Sequence, residues 1–278
     1  MSILIPVKSK SRFFNEEILI YILCVLSYFL LLSVVFRYYE TVKDDFFKPD
    51  KILLCLLYTG ELLFVFLFSP IFALKQITAN GNKSTKIQPI NVHMQTLPYK
   101  KFFFKIIIKA FVLICIFHVI SLFSIYNNSF FSLPRFFMMV ILFFVCSLFI
   151  TAYTSFLIVI TRNIFFTIAA TYITIIGILG CVFFISPLLD LVGNPTSVIN
   201  LTLNINPMMA IASILNFDLL RWGPFYESAH IGMFRFSYPH WSVHVLSYLA
   251  LSVLFFAGSF ILRNLHIKSS KKEGRLII

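Results

Sequence analysis

Residues 136–160 read FFMMVILFFVCSLFITAYTSFLIVI, twenty-five positions without a charged side chain. A helix needs about 20 predominantly apolar residues to cross the hydrocarbon core of a bilayer. The run is continuous rather than alternating, so it does not read as a strand of a membrane barrel. Working outward from it, five further runs of this kind appear at 18–36, 52–74, 103–125, 164–185 and 243–262. The expected fold is therefore an all-α integral membrane protein, one transmembrane domain over 1–278 with six spanning helices.

Composition agrees. Hydrophobic residues make up 59% of the 278 positions and charged residues 12%, about half the charged share of an ordinary soluble domain. A soluble chain of this size leaves roughly a quarter of its unfolded surface exposed, so it could not hide this much apolar surface in one core. A soluble enzyme and a nucleic-acid-binding domain are excluded, and nucleic acid is not an expected partner. The net charge of +12 suits basic loops facing anionic lipid headgroups. Cys24, Cys55, Cys115, Cys146 and Cys181 all lie inside apolar runs with no CxxC pair, so they read as small buried hydrophobes.

The first run follows Lys8, Lys10 and Arg12. It is longer than the apolar region of a signal peptide and no small-x-small site follows it, so it reads as an uncleaved span. With six spans, one side of the membrane holds sixteen Lys and Arg and the other seven. The basic side holds both termini and the 75–102 loop, which places these in the cytoplasm and makes the chain a multi-pass membrane protein. Strong Phe, Ile, Lys and Asn usage points to an AT-rich bacterial genome, so a bacterial cytoplasmic (inner) membrane is the expected location. The external side has a loop at 37–51 and a larger region at 186–242. Within the latter, 205–220 is apolar but short and interrupted, and it reads as an interfacial or re-entrant helix before the last span.

Glu61 is the one acid deep in a span. An ionisable group there is costly and marks function or a specific packing partner, so it is a candidate for gating or packing. The segment 75–109 carries seven lysines and no acid. In it Pro89 and Pro98 bracket a short element, Ile90, Val92, Met94, Thr96 and Leu97 among its residues, suited to docking a cytoplasmic partner. Lys101, Lys105 and Lys109 share a helix face and read as snorkelling side chains. In the fifth span Thr167, Ala170, Thr171, Thr174, Gly177 and Cys181 form a stripe of small residues, which lets helices approach closely within the chain or across a dimer. His240 and His244 have i, i+4 spacing, but no HExxH follows, and they read as external surface histidines rather than a metal site. There is no catalytic constellation and no Walker motif, so the chain by itself holds neither metal nor nucleotide.

Three local sequences, taken in order, resemble a known family. Ser69-Pro70 with Ala73 closes the second run. Thr96-Leu97-Pro98, followed by Lys101, Ile106 and Lys109, leads into the third. Ile205-Asn206-Pro207-Met208-Met209-Ala210 precedes the last. Together with the six-span layout and the basic loop, they resemble the membrane subunits of ABC transporters of the type-2 exporter class. Two positions depart from that pattern: 79–85 lacks an acidic residue, and Ile108 stands where the family has glycine. The resemblance implies a permease subunit, not itself an enzyme, that forms the translocation path of an ATP-driven exporter. It implies a second permease subunit, in a homodimer or heterodimer, and a separate ABC ATP-binding subunit that binds ATP and Mg. That subunit would dock on Ile90, Val92, Met94, Thr96, Leu97 and Pro98, with membrane lipids around the dimer. The alternatives are a polytopic membrane enzyme of the acyl or glycosyl transferase type, with His240 and Asp190 as its external candidates, and a non-transporting sensor or immunity subunit.

Overall fold

The computed structural model describes residues 10–42, 49–81, 99–125, 132–184, 189, 195–222 and 236–273. The regular elements among them are helical: α1 (Lys10–Val42), α2 (Pro49–Gly81), α3 (Tyr99–Ile125), α4 (Leu133–Thr161), α5 (Ile164–Phe184), α6 (Pro195–Ile205), α7 (Pro207–Leu215), a 3₁₀ turn (Leu219–Arg221) and α8 (Trp241–Glu273). Five of these, within α1, α2, α4, α5 and α8, are long and apolar enough to cross a membrane. The chain is a multi-pass membrane protein. In α3, where the third span is expected, the apolar stretch is the shorter Ile107–Ser121.

The helices overrun the apolar runs. Helix α2 continues to Gly81, so the expected 75–102 loop begins as helix, and α3 starts at Tyr99. Nothing breaks the helix at the edge of the hydrocarbon; the first strong stop signal after Leu74 is Asn80-Gly81. Inside α2, Pro70 removes an amide donor. Beside it Ser69 Oγ donates to Val65 O at 2.6 Å and shares a 2.8 Å hydrogen bond with Ser147 Oγ on α4.

Side-chain contacts give each long helix a direction. Tyr28 meets Phe64, and Leu31 lies against Gly60, so α1 and α2 are antiparallel. Phe117 meets Phe64 and Ser121 reaches Glu61, so α3 is antiparallel to α2. Tyr58 with Phe143 and Ser69 with Ser147 make α4 parallel to α2. Tyr153 with Thr174 and Thr161 with Thr167 turn α5 back along α4. Phe149 with Tyr248 and Phe156 with Phe255 run α8 parallel to α4. Six long helices thus alternate in direction, and the start of α1 lies at the same end of the bundle as the end of α8.

The tight α4–α5 turn has Arg162 in the left-handed region at φ 54, its amide donating to Ile158 O at 3.0 Å. Asn163 Oδ1 then accepts from Phe166 N at 3.2 Å and opens α5. Helix α4 is the centre of the bundle, packed against α2, α3, α5, α7 and α8.

Directions also decide the nature of α6 and α7, which meet at an angle of 85°. Because α5 and α8 are antiparallel, the segment joining them leaves and returns at one end of the bundle. The two ends of the bent pair therefore lie at the same end of the bundle. Helix α7 is buried at every residue except Ser213, which is half-buried, so the segment expected at 205–220 as an interfacial or re-entrant helix packs into the bundle.

Candidate functional site

The deepest polar cluster joins α1, α2 and α3. Glu61 and His118 are 0% and 1% exposed, and Glu61 Oε1 is in direct ion-pair contact with His118 Nδ1. Ser121, one helical turn after His118, donates from Oγ to Glu61 Oε2 at 3.3 Å. Tyr28 on α1 hydrogen-bonds the same Ser121 oxygen. A serine hydroxyl has one proton and two lone pairs, so with Ser121 donating to Glu61, Tyr28 donates to Ser121. The result is a chain Tyr28–Ser121–Glu61–His118 across three helices.

Its surroundings are aromatic. The His118 ring has Phe136 at 5.1 Å, Phe143 at 5.2 Å and Tyr58 at 6.1 Å between centroids. Tyr28 packs on Phe117 at 4.7 Å and Phe64 at 5.4 Å. With a rise of about 1.5 Å per residue, Glu61 lies about 15 Å along α2 from Lys51, near the middle of a hydrocarbon core about 30 Å thick. His118 Nε2 has no hydrogen-bond partner among the described residues. In such a low-dielectric place an acid and an imidazole hold each other's charge or share a proton. Among the described residues no group of three or more His, Cys, Asp or Glu side chains is placed to hold a metal ion.

A second junction sits at the 85° bend. Asn206 is 1% exposed. Its Oδ1 accepts from Met208 N at 2.9 Å and caps α7, while its Nδ2 donates to Leu179 O of α5 at 2.9 Å. Tyr248 of α8 donates to the carbonyl of the preceding residue, Ile205. Pro207 takes the first helical position, where a missing amide costs nothing. Two adjacent residues thus bind the bent pair to both long helices that flank it in sequence. At the far end of α7, Lys51 Nζ donates to Asn216 O at 2.8 Å. Beyond it, Tyr238 donates to Asp218 Oδ1 and accepts from Leu220 N, both at 2.9 Å. Burial pushes the Tyr238 hydroxyl pKa up, and the Asp218 charge adds to that.

Comparison with protein-family models, with curated proteins and with solved structures finds no match to this chain. The arrangement of its own residues therefore carries the functional argument.

The sequence candidates divide as follows. Ile90, Val92, Met94, Thr96, Leu97 and Pro98 lie outside the described residues, as does Asp190. Thr167, Thr171 and Thr174 face α4: Thr167 Oγ1 meets Thr161 at 2.9 Å, Thr171 meets Thr154 at 3.5 Å and Thr174 meets Tyr153 at 3.0 Å. Ala170 is half-buried. Cys181 turns toward α6, its thiol 3.8 Å from Thr202 O. Gly177 is exposed, and a Cβ there meets nothing within 4 Å. The stripe thus serves packing within the chain at its threonines and opens outward at Gly177.

The histidine pair of the last helix is split, which corrects one expectation. His240 is exposed and shares a 2.7 Å hydrogen bond with Ser242, but His244 is 0% exposed. Helix α8 begins at Trp241, so position 244 falls on the face turned into the bundle. Neither ring nitrogen of His244 has a hydrogen-bond partner among the described residues. His118 joins the candidate residues only through the structure, by its contact with Glu61. Its signal was present: an ionisable side chain inside the third apolar run, placed to meet Glu61 once two consecutive runs are folded back to back.

Proposed function

We propose that the chain is the permease subunit of an ATP-driven ABC exporter in a bacterial cytoplasmic membrane, with both termini in the cytoplasm. The observation that carries the reading is the buried helix pair bent at Asn206-Pro207. It stands before the last long helix, in the place where the type-2 exporter resemblance puts its asparagine–proline segment. On this reading a second permease copy or homologue completes the path, and the outward-open part of the α5 stripe around Gly177 lies toward it. A separate ABC subunit binds ATP and Mg and docks on residues 90–98. Nucleotide-driven closure of that subunit pushes on α2 and α3, the helices that flank the docking element. Glu61, joined to α3 through His118 and Ser121, lies where that push is felt and serves in gating. Helices α6 and α7 shape the exit.

The test is affinity purification of the chain in mild detergent, with residues 90–98 intact or replaced by a Gly/Ser linker. Co-purification of an ATP-binding-cassette subunit from the intact chain alone is the expected result. If neither version brings down such a subunit, the permease reading fails.

A further inference from the structure

We propose that Glu61 and His118 form a proton-binding site whose occupancy sets how tightly α1 and α3 pack against α2. The inference is independent of the exporter reading, because it needs only the three helices. Three observations carry it. Both groups are out of contact with solvent, and each is the other's ionisable partner. Glu61 is the one acid among the described buried residues. His118 Nε2 is a buried ring nitrogen with no hydrogen-bond partner among the described residues, so on the described side only Glu61 answers a charge on the imidazole.

With one proton between the two groups, the site has no net charge. That proton sits on Glu61 as a carboxylic acid beside a neutral imidazole, or on His118 as imidazolium beside a carboxylate. Moving it from Oε1 to Nδ1 breaks one O–H bond, forms one N–H bond and leaves the charge unchanged. Uptake of a second proton from bulk water gives a carboxylic acid beside an imidazolium, with a net charge of +1. Loss of the last proton gives a lone carboxylate at −1. Either charged form is expensive near the bilayer centre and favours a looser helix arrangement that admits water.

Among the described buried residues no other acid faces the pair. Ser121 of α3, Tyr28 of α1 and Tyr58 of α2 are the hydroxyls near Glu61, and α4 brings the rings of Phe136 and Phe143 to His118. Arg135, one position before Phe136, is the nearest charged residue along α4. Through Ser121 the same carboxylate holds Tyr28, so a change of its proton reaches α1 directly.

The experiment is pH-difference infrared spectroscopy of the purified full chain in lipid nanodiscs, from about pH 4 to about pH 9, a range that brackets the ordinary acid and imidazole values. Carbon-13 glutamate labelling identifies carboxyl bands in the unaltered chain. The expected result is a buried carboxylic-acid band that titrates, is lost in Glu61→Gln and is displaced in pH in His118→Gln. Amide hydrogen exchange of α1 is compared between the unaltered chain and Glu61→Gln at matched pH. The pH-dependent part of α1 protection is expected to disappear in the variant. Absence of a titrating band at the frequency of a buried, non-hydrated glutamic acid in the labelled unaltered chain overturns the proposal, even if both variants fail to fold. A titrating band with α1 exchange unaffected by Glu61→Gln overturns the link to helix packing.

Discussion

Glu61 on α2 and His118 on α3 touch inside the bundle, at a depth where neither reaches water. A buried acid–imidazole pair is worth little net, yet leaving one member alone is costly. Glu61→Ala or His118→Ala alone is therefore expected to destabilise the chain by about 3–5 kcal/mol. Replacing both by alanine should cost far less than the sum of the single changes, because neither ionisable group is then left buried without its partner. Reversible unfolding in mixed micelles measures the four corners of the cycle; strictly additive losses would contradict the coupling.

Asn206 has two separable tasks. Asn206→Asp keeps the cap on Met208 N but cannot donate to Leu179 O. Asn206→Ala loses both. The aspartate is expected to lose about 1 kcal/mol or more, with the charge-burial cost added, and the alanine about 1–3 kcal/mol. Limited proteolysis near α6 and α7 is the readout, and the alanine variant should open there before the rest of the bundle unfolds.

Gly60 lets α1 approach α2. A Cβ at that position lies 2.8 Å from Leu31 Cδ2, closer than real contacts allow. Gly60→Val is expected to cost about 1–3 kcal/mol through overpacking. Leu31→Ala should recover part of that loss, since the clash is with the end of one flexible side chain. A double-mutant cycle on thermal stability checks the pairing.

Gly177 behaves in the opposite way, because its Cβ direction is open. Gly177→Leu should leave the stability of the single chain within about 0.5 kcal/mol of the original. If the proposed second permease subunit packs there, the same change weakens the dimer. Sedimentation or native mass spectrometry in detergent separates the two effects.

Tyr238 predicts a pH dependence outside the spans. Its pKa is raised in the folded state, chiefly by burial. The stabilisation this represents is fully present below the ordinary tyrosine value of about 10 and is lost as pH rises above it. Unfolding curves of the unaltered chain should therefore fall more steeply above about pH 10 than those of Tyr238→Phe. At neutral pH the phenylalanine variant should be weaker by about 1–2 kcal/mol, having lost the bonds to Asp218 and Leu220.

Much of the fold is legible along the chain. Runs such as 136–160 and 164–185 become α4 and α5 because lipid leaves the backbone no alternative to internal hydrogen bonds. Asn206-Pro207 marks the break between α6 and α7 through local chemistry, a side-chain acceptor followed by a residue that starts a helix well. Glu61 stands out for the same kind of reason, since hydropathy alone shows that a charge lies where charges are costly.

Partners were not legible in this way. Glu61 finds His118 and Ser121 on α3, and Tyr28 follows from α1. The rotation of each helix about its axis decides these meetings, and rotation follows from packing many side chains at once. The same cause turns His244 inward while His240 stays outside, and gives the threonines of the α5 stripe to α4 but leaves Gly177 open. Composition and apolar run length alone determined that this chain is a bundle of membrane helices, because transfer into lipid depends on the residues present and not on their neighbours. Only the tertiary structure decided which buried polar groups meet, because a hydrogen bond or ion pair depends on distance and direction between helices far apart in sequence.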